Sequence, residues 1–175
     1  MPAIPLVDAE MAAELFGRHL RDFWASGRPD KWGWTIEYRD PLTAIVHVTG
    51  RRQDGTVDPY LILLDGRSYD EYPAGVYFVR PEPFAARPGP GSRWLPTFGN
   101  VPFPFALHQT YAYPDQTTDQ LVCFSQSRDY YLSGHNPTSG ERWKPGEQTV
   151  SATLSRLREV LSPPCYQGPA GDLDT

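Results

Sequence analysis

Residues 34–79 read WTIEYRDPLTAIVHVTGRRQDGTVDPYLILLDGRSYDEYPAGVYFV. Short runs rich in β-branched, aromatic and aliphatic residues alternate here with turn residues, which is the pattern of strands joined by turns. Asp54-Gly55 is one such turn signal. No helical periodicity separates the runs, so the strands are expected to pair as an antiparallel meander. We predict four of them, at 34–39, 43–49, 60–64 and 76–79.

Helical patterns lie on either side of this region. Val7–Ala25 is predicted as the first helix, with Asp8 as its N-cap. Its apolar residues recur at roughly helical spacing: Met11, Leu15, Leu20, Phe23 and Trp24. Thr149–Leu161 is predicted as a second helix, capped by Thr149 and apolar along one face. The sequence therefore predicts an α+β fold.

The stretch 80–120 has a different composition. Its many prolines argue against a regular helix or a central strand. It is also rich in Phe, Trp and Tyr, which disordered linkers avoid. We therefore predict a long loop packed onto the domain, followed by a short extended piece at 120–125. The tail at 164–175 is expected to be irregular.

Bulk properties narrow the class of protein. The chain has 175 residues, which suits one domain rather than two. Its net charge of −5 and scattered basic residues argue against nucleic acid or an anionic membrane as a partner. No apolar run approaches the roughly 20 residues of a membrane span, and no signal peptide is evident, so we expect a cytoplasmic protein. Cys123 and Cys165 are then expected to be reduced.

Three local patterns follow one another along the chain: a Tyr-Pro turn before a strand, a cysteine in an apolar stretch, and a Trp-x-Pro turn before a helix. They are Tyr72-Pro73 with Val76-Tyr77-Phe78, Leu121-Val122-Cys123-Phe124, and Trp143-Lys144-Pro145 with Thr149-Val150. In this order they resemble the ubiquitin-conjugating enzyme (UBC) family. The resemblance covers about residues 8–163.

The resemblance implies a fold and an activity. The fold would be UBC-like: N-terminal helix, four-stranded antiparallel meander, long Pro-rich loop with the cysteine, and C-terminal cross helix. It would form one domain over 1–175, with its core at about 8–163. Cys123 would accept a ubiquitin-like modifier as a thioester from an activating enzyme and pass it to an amine on a target protein. The chain looks like the divergent bacterial members of the family, and in several such systems the implied role is antiphage defence.

The sequence also departs from the family. Members usually carry His-Pro-Asn about ten residues before the cysteine, and its Asn supports attack on the thioester. Here His108 is followed by Gln109-Thr110. The loop after Cys123 is longer than usual and contains His135-Asn136-Pro137. The missing Asn leaves open a catalytically inactive UBC-like adaptor that binds ubiquitin-like or other protein partners.

A thioester carrier needs an accessible thiol that can ionise. We expect Cys123, at a strand end, to present its sulfur near the surface; the plainer interpretation is a small buried residue. Aminolysis also needs a donor for the developing oxyanion. Candidates are His135, Asn136 and His108, and His135 can instead serve as a base. The plainer interpretations are an exposed turn for His135-Asn136-Pro137 and a structural role for His108.

Other chemistries find less support in the sequence. A cysteine hydrolase using Cys123 with His108 or His135 would need an orienting third residue that the sequence does not identify. A zinc site from His108, Cys123, His135 and Cys165 would lack the short ligand spacing of zinc motifs. No glycine-rich phosphate loop of the usual form is present. We therefore expect neither a metal nor another cofactor.

Overall fold

The computed structural model describes residues 2–84 and 86–175. The helices are α1 Ala9–Ala25, α2 Arg28–Trp32, α3 Arg128–Leu132 and α4 Val150–Val160. The strands are β1 Thr35–Asp40, β2 Thr43–Arg51, β3 Val57–Asp65, β4 Gly75–Val79, β5 Pro96–Phe98, β6 Ala106–Ala112, β7 Thr118–Cys123 and β8 Tyr166–Pro169. No helix in these ranges is long and apolar enough to span a membrane.

Strands β1 to β4 form one antiparallel sheet in chain order, which confirms the predicted α+β class and the four-stranded meander. Ile62 pairs with Val46 on one side and Phe78 on the other, and all three face the main core. The alternate residues, such as Leu61 and Tyr77, form a second apolar cluster on the outer face. Because both faces of the sheet are covered, the sequences of β3 and β4 contain nearly continuous apolar runs rather than alternating apolar and polar residues.

The two long helices cover the inner face of this sheet and contact each other. Asp8 caps α1 by accepting a hydrogen bond from Met11 N at 2.8 Å, and Thr149 caps α4 by accepting one from Ser151 N at 3.3 Å. Both predicted caps are therefore confirmed. Met11 was wrongly assigned to the apolar face, because its side chain is 60% exposed. The buried face of α1 consists of Ala12, Phe16, Leu20 and Phe23.

The stretch 80–120 is more regular than predicted, and so is the tail. β5 pairs with β8, so the segment expected to be irregular contributes a strand. β6 pairs with β7 in a hairpin, so the extended piece predicted around Cys123 is a strand that ends at this residue, whereas the family resemblance implied a loop. The prolines are compatible with these strands because Pro96 and Pro169 lie in the two-stranded β5–β8 sheet, in which both strands are edge strands. Strand β6 contains no proline. Proline counts over the whole stretch concealed that proline-free run.

The β6–β7 hairpin docks beside β4 through one side chain. Gln120 Oε1 accepts a hydrogen bond from Phe78 N at 2.7 Å, and Gln120 Nε2 donates to Phe78 O at 3.3 Å. The amide thus satisfies the backbone groups that β4 turns away from β3. This contact is buried and sets the position of β7, and therefore of Cys123, against the sheet.

A buried tyrosine links α1 to the start of α4. Tyr69 Oη accepts a hydrogen bond from Val150 N at 2.9 Å and lies 2.7 Å from His19 Nδ1. The hydroxyl proton is therefore free to be donated to a neutral imidazole. Burial, and after it the charge of Arg18, lower the pKa of His19.

We expect this contact to make stability depend on pH. A lowered folded-state pKa stabilises the fold above the unfolded value of about 6.5, and this stabilisation is lost as pH falls below it. Urea titrations at about pH 7.5 and about pH 5.5 should show a loss of unfolding free energy that His19→Gln reduces. His47→Gln, at an exposed position on β2, is the matched control. Equal pH dependence in wild type and His19→Gln would contradict the assignment.

Candidate active site

Cys123 is the last residue of β7 and faces away from the main core. Val122 and Phe124 point into that core, whereas Cys123 and Leu121 join a small separate cluster with Tyr113 and Tyr130. The expectation of a sulfur near the surface is wrong, because Cys123 is only 6% exposed. Side chains from the hairpin and from α3, which follows five residues later, cover the thiol.

The environment of the thiol keeps it protonated. Burial raises the pKa of Cys123 to about 11. Among the described residues, no side chain or backbone group makes a hydrogen bond to its sulfur. Because the thiolate is the nucleophilic form, the buried thiol of Cys123 is expected to react slowly at neutral pH.

The helix that covers Cys123 is attached to the sheet by a buried ion cluster. The guanidinium of Arg128, itself 0% exposed, lies 3.0 Å from Asp65 Oδ2 and 3.1 Å from Asp129 Oδ1. It also donates to Tyr77 Oη at 2.8 Å. Gly75 makes room for it, since a Cβ there would lie 2.5 Å from Arg128 Nη2. None of the predicted elements or site residues includes Arg128, so the sequence did not predict this cluster.

Opposing electrostatic effects act on the two carboxylates of the cluster. Burial disfavours ionisation of Asp65, but hydrogen bonds from Arg67 and the charge of Arg128 keep its pKa below the ordinary value. Burial raises the pKa of Asp129, although the charge of Arg128 opposes that rise. One oxygen of Asp129 has no hydrogen-bond partner. Arg128 is therefore the main compensation for Asp129, whereas Asp65 is compensated by both Arg67 and Arg128.

His135 and Asn136 lie beyond α3 rather than against the sulfur. The His135 ring stacks on Tyr130 at 4.9 Å between centroids, and Nδ1 lies 2.5 Å from Ser133 Oγ. Asn136 lines an open groove of about 350 Å³ together with His135 and Trp143. Neither residue hydrogen-bonds to Cys123. His135 therefore contacts Tyr130, one of the side chains that pack around the thiol, but not the thiol itself.

His108 lies on the same face of the hairpin as Cys123. Ala106 is directly opposite Cys123, and His108 is directly opposite Leu121. Opposed residues of an antiparallel pair share a face, and diagonal neighbours are typically about 7–8 Å apart. His108 is therefore the diagonal neighbour of Cys123, and it is exposed, with its ring 5.4 Å from that of Tyr111. Of the three predicted helpers, His108 is the one that lies in the same hairpin as Cys123.

The second cysteine lies in a different part of the fold. Cys165 is buried in the main core, with its sulfur 3.7 Å from the carbonyl oxygen of Asn100. Both cysteines are free. Within 2–84 and 86–175, no group of three or more His, Cys, Asp or Glu side chains is placed to hold a metal ion. His108, Cys123, His135 and Cys165 therefore do not come together as a zinc site.

Comparisons with known proteins give no independent assignment. No protein-family model matches the chain, and no curated protein matches it. The likeness to ubiquitin-conjugating enzymes therefore rests on the three sequence patterns described above.

Proposed function

We propose that this protein is a ubiquitin-like conjugating enzyme with Cys123 as the carrier thiol. The main support is the position of that residue: it ends β7 on the face away from the main core, beneath a five-residue helix. Val122 and Phe124 on either side point into the main core, so Cys123 lies on the face of β7 against which α3 packs. A thiol under a short local cover can be exposed without unfolding the domain.

The proposed chemistry has two acyl transfers. The Cys123 sulfur attacks the thioester carbonyl that joins the modifier to its activating enzyme; the new thioester forms, and the enzyme thiolate leaves and takes up the proton that Cys123 loses. An amine of the target then attacks the Cys123 thioester. The amide forms, the Cys123 thiolate leaves, and the proton released by the amine balances the one that the thiolate takes up. No cofactor enters either step.

The first step requires the cover to open. Since Cys123 is almost fully buried and its pKa is raised by that burial, binding of the activating enzyme must displace α3 or the side chains beneath it. Opening would rehydrate the sulfur and lower its pKa toward the ordinary value. The closed form would then protect the thiol from other reactions. His108, exposed on the same face, would accept a proton from the incoming amine.

A charging assay tests this function. The chain is incubated with ATP, a ubiquitin-like modifier and the activating enzyme that loads it, and analysed on gels with and without reductant. We expect a reductant-sensitive adduct in wild type, none in Cys123→Ala, and a reductant-resistant ester in Cys123→Ser. Cys165→Ser is the matched control and should charge as wild type does. If an activating enzyme that loads itself leaves wild type uncharged, the enzyme proposal fails.

One observation favours a second candidate function, a UBC-like adaptor without catalysis. The thiol is buried and protonated, as expected for a cysteine that only packs. An adaptor would bind the modifier or its activating enzyme without forming an adduct. Binding that persists unchanged in Cys123→Ala, together with failure to charge, would support this alternative.

A further inference from the structure

The aromatic residues around Cys123 differ in how their hydroxyl groups are used. Tyr111 Oη donates to Ser133 O at 3.0 Å, Tyr113 Oη to Gln120 O at 3.1 Å, and Tyr131 Oη to Ser125 O at 2.9 Å. The Tyr130 hydroxyl alone among these four makes no hydrogen bond to any described residue. Its oxygen is not among the fully enclosed atoms without a partner, so it keeps some contact with solvent.

The rest of the Tyr130 side chain is held in place. The residue is 4% exposed and packs in the same cluster as Cys123. The His135 ring stacks on its ring, with 13° between the planes, and Tyr131 meets it edge-on at 5.5 Å. A fixed ring in the same cluster as Cys123 therefore carries a hydroxyl group that makes no hydrogen bond to a described residue and keeps some contact with solvent. Buried tyrosines normally find a partner for that group.

The electrostatics suit a neutral donor. Burial, and after it the neighbouring Cys123, raise the pKa of Tyr130 above its ordinary value near 10. The phenol therefore stays protonated throughout the physiological range. It donates a hydrogen bond without adding a positive charge, as an amide side chain does.

We infer that the Tyr130 hydroxyl donates a hydrogen bond to the carbonyl oxygen of the Cys123 thioester and stabilises the oxyanion that forms when an amine attacks it. This rests on the proposed function, since it assumes that Cys123 carries an acyl group. Negative charge develops on that oxygen as the carbon–nitrogen bond forms and disappears when the carbon–sulfur bond breaks. The hydroxyl keeps its proton throughout and acts only as a donor.

The other candidates are less well placed for this role. His135 contacts the Tyr130 ring and uses Nδ1 in its contact with Ser133, while Asn136 lines the groove beyond α3. His108 lies across the hairpin and suits proton transfer from the amine. Tyr130 is the residue whose ring shares the cluster of the sulfur and whose donor is unoccupied. Tyr130 would then take the place of the Asn that the His108 segment lacks.

Single-turnover discharge of the loaded protein tests the inference. Wild type, Tyr130→Phe and Tyr113→Phe are charged and separated from ATP, and loss of the thioester is followed against free lysine concentration. Tyr130→Phe should lower the maximal rate constant by roughly 10²-fold and leave the half-saturating lysine concentration unchanged. Tyr113→Phe removes a hydroxyl bonded to backbone in the same cluster and should discharge as wild type does. Alkylation of uncharged Cys123 should proceed at the same rate in Tyr130→Phe and wild type.

The outcomes separate the two proposals. If wild type never charges on Cys123, the proposed function and this inference both fail. If all three proteins charge and Tyr130→Phe discharges at the wild-type rate, only the inference fails. Slower discharge of Tyr130→Phe together with faster alkylation of its Cys123 would also overturn the inference. The hydroxyl would then act by holding the side chains packed over the thiol, not by donating to the thioester. An equal loss in Tyr113→Phe would show a general packing effect and likewise overturn it.

Discussion

Arg128→Met is expected to lower the free energy of unfolding by about 3–5 kcal/mol, the usual cost of removing one partner from a buried ion pair. The guanidinium is 0% exposed and contacts Asp65, Asp129 and Tyr77. Methionine fills much of the same volume, so the loss comes mainly from charge. Asp129 would be left buried without its cation, and Tyr77 would lose a donor. Urea titration followed by far-UV circular dichroism measures the change.

Arg67→Met is the matched control, because Arg67 also binds Asp65. Its guanidinium donates to both Asp65 oxygens, at 2.6–3.1 Å, but the side chain is 47% exposed. We therefore expect it to cost about 0–1 kcal/mol. Adding Asp129→Asn to Arg128→Met should recover part of the loss by removing the stranded charge. Equal losses in Arg128→Met and Arg67→Met would contradict the assigned role of burial.

Much of the fold could be predicted because its signals are local. Asp8 and Thr149 cap helices through atoms two or three residues away, and the strands of the meander are joined by short turns. The β5–β8 pairing joins segments about 70 residues apart and has no local signal. Proline content concealed β6 as well, since averaging over 80–120 hid a run without proline.

The candidate site was predictable only in part. The apolar pattern around Cys123 located a strand end, but the burial of the thiol depends on α3, a helix too short to show periodicity. Arg128 and Tyr130 were missed for the same reason. One signal was available: Arg128-Asp129 directly precedes Tyr130-Tyr131, an ion pair beside aromatic residues that a solvated loop would seldom carry.

The burial of Cys123 leads to the second large effect, which concerns thiol reactivity. In a Cys165→Ser background, native Cys123 should react with an alkylating reagent at least roughly 20-fold more slowly at about pH 8 than the same chain unfolded in guanidinium chloride. A pKa of about 11 leaves about 0.1% thiolate at that pH. An ordinary cysteine with a pKa of about 8.5 has roughly a quarter. The greater nucleophilicity of a thiolate with a higher pKa offsets roughly tenfold of this difference in thiolate fraction, and restricted access slows the reaction further.

Two substitutions at one position identify the cover. Tyr130→Ala removes the ring that packs beside the thiol and should raise the alkylation rate of the native protein by at least about 10-fold, since both access and ionisation improve. Tyr130→Phe keeps the ring and should alkylate as slowly as wild type. Circular dichroism would be used to check that Tyr130→Ala remains folded under the assay conditions. Rapid alkylation of the wild-type thiol would mean that the site is already open in solution, and the activating enzyme would then have no cover to displace.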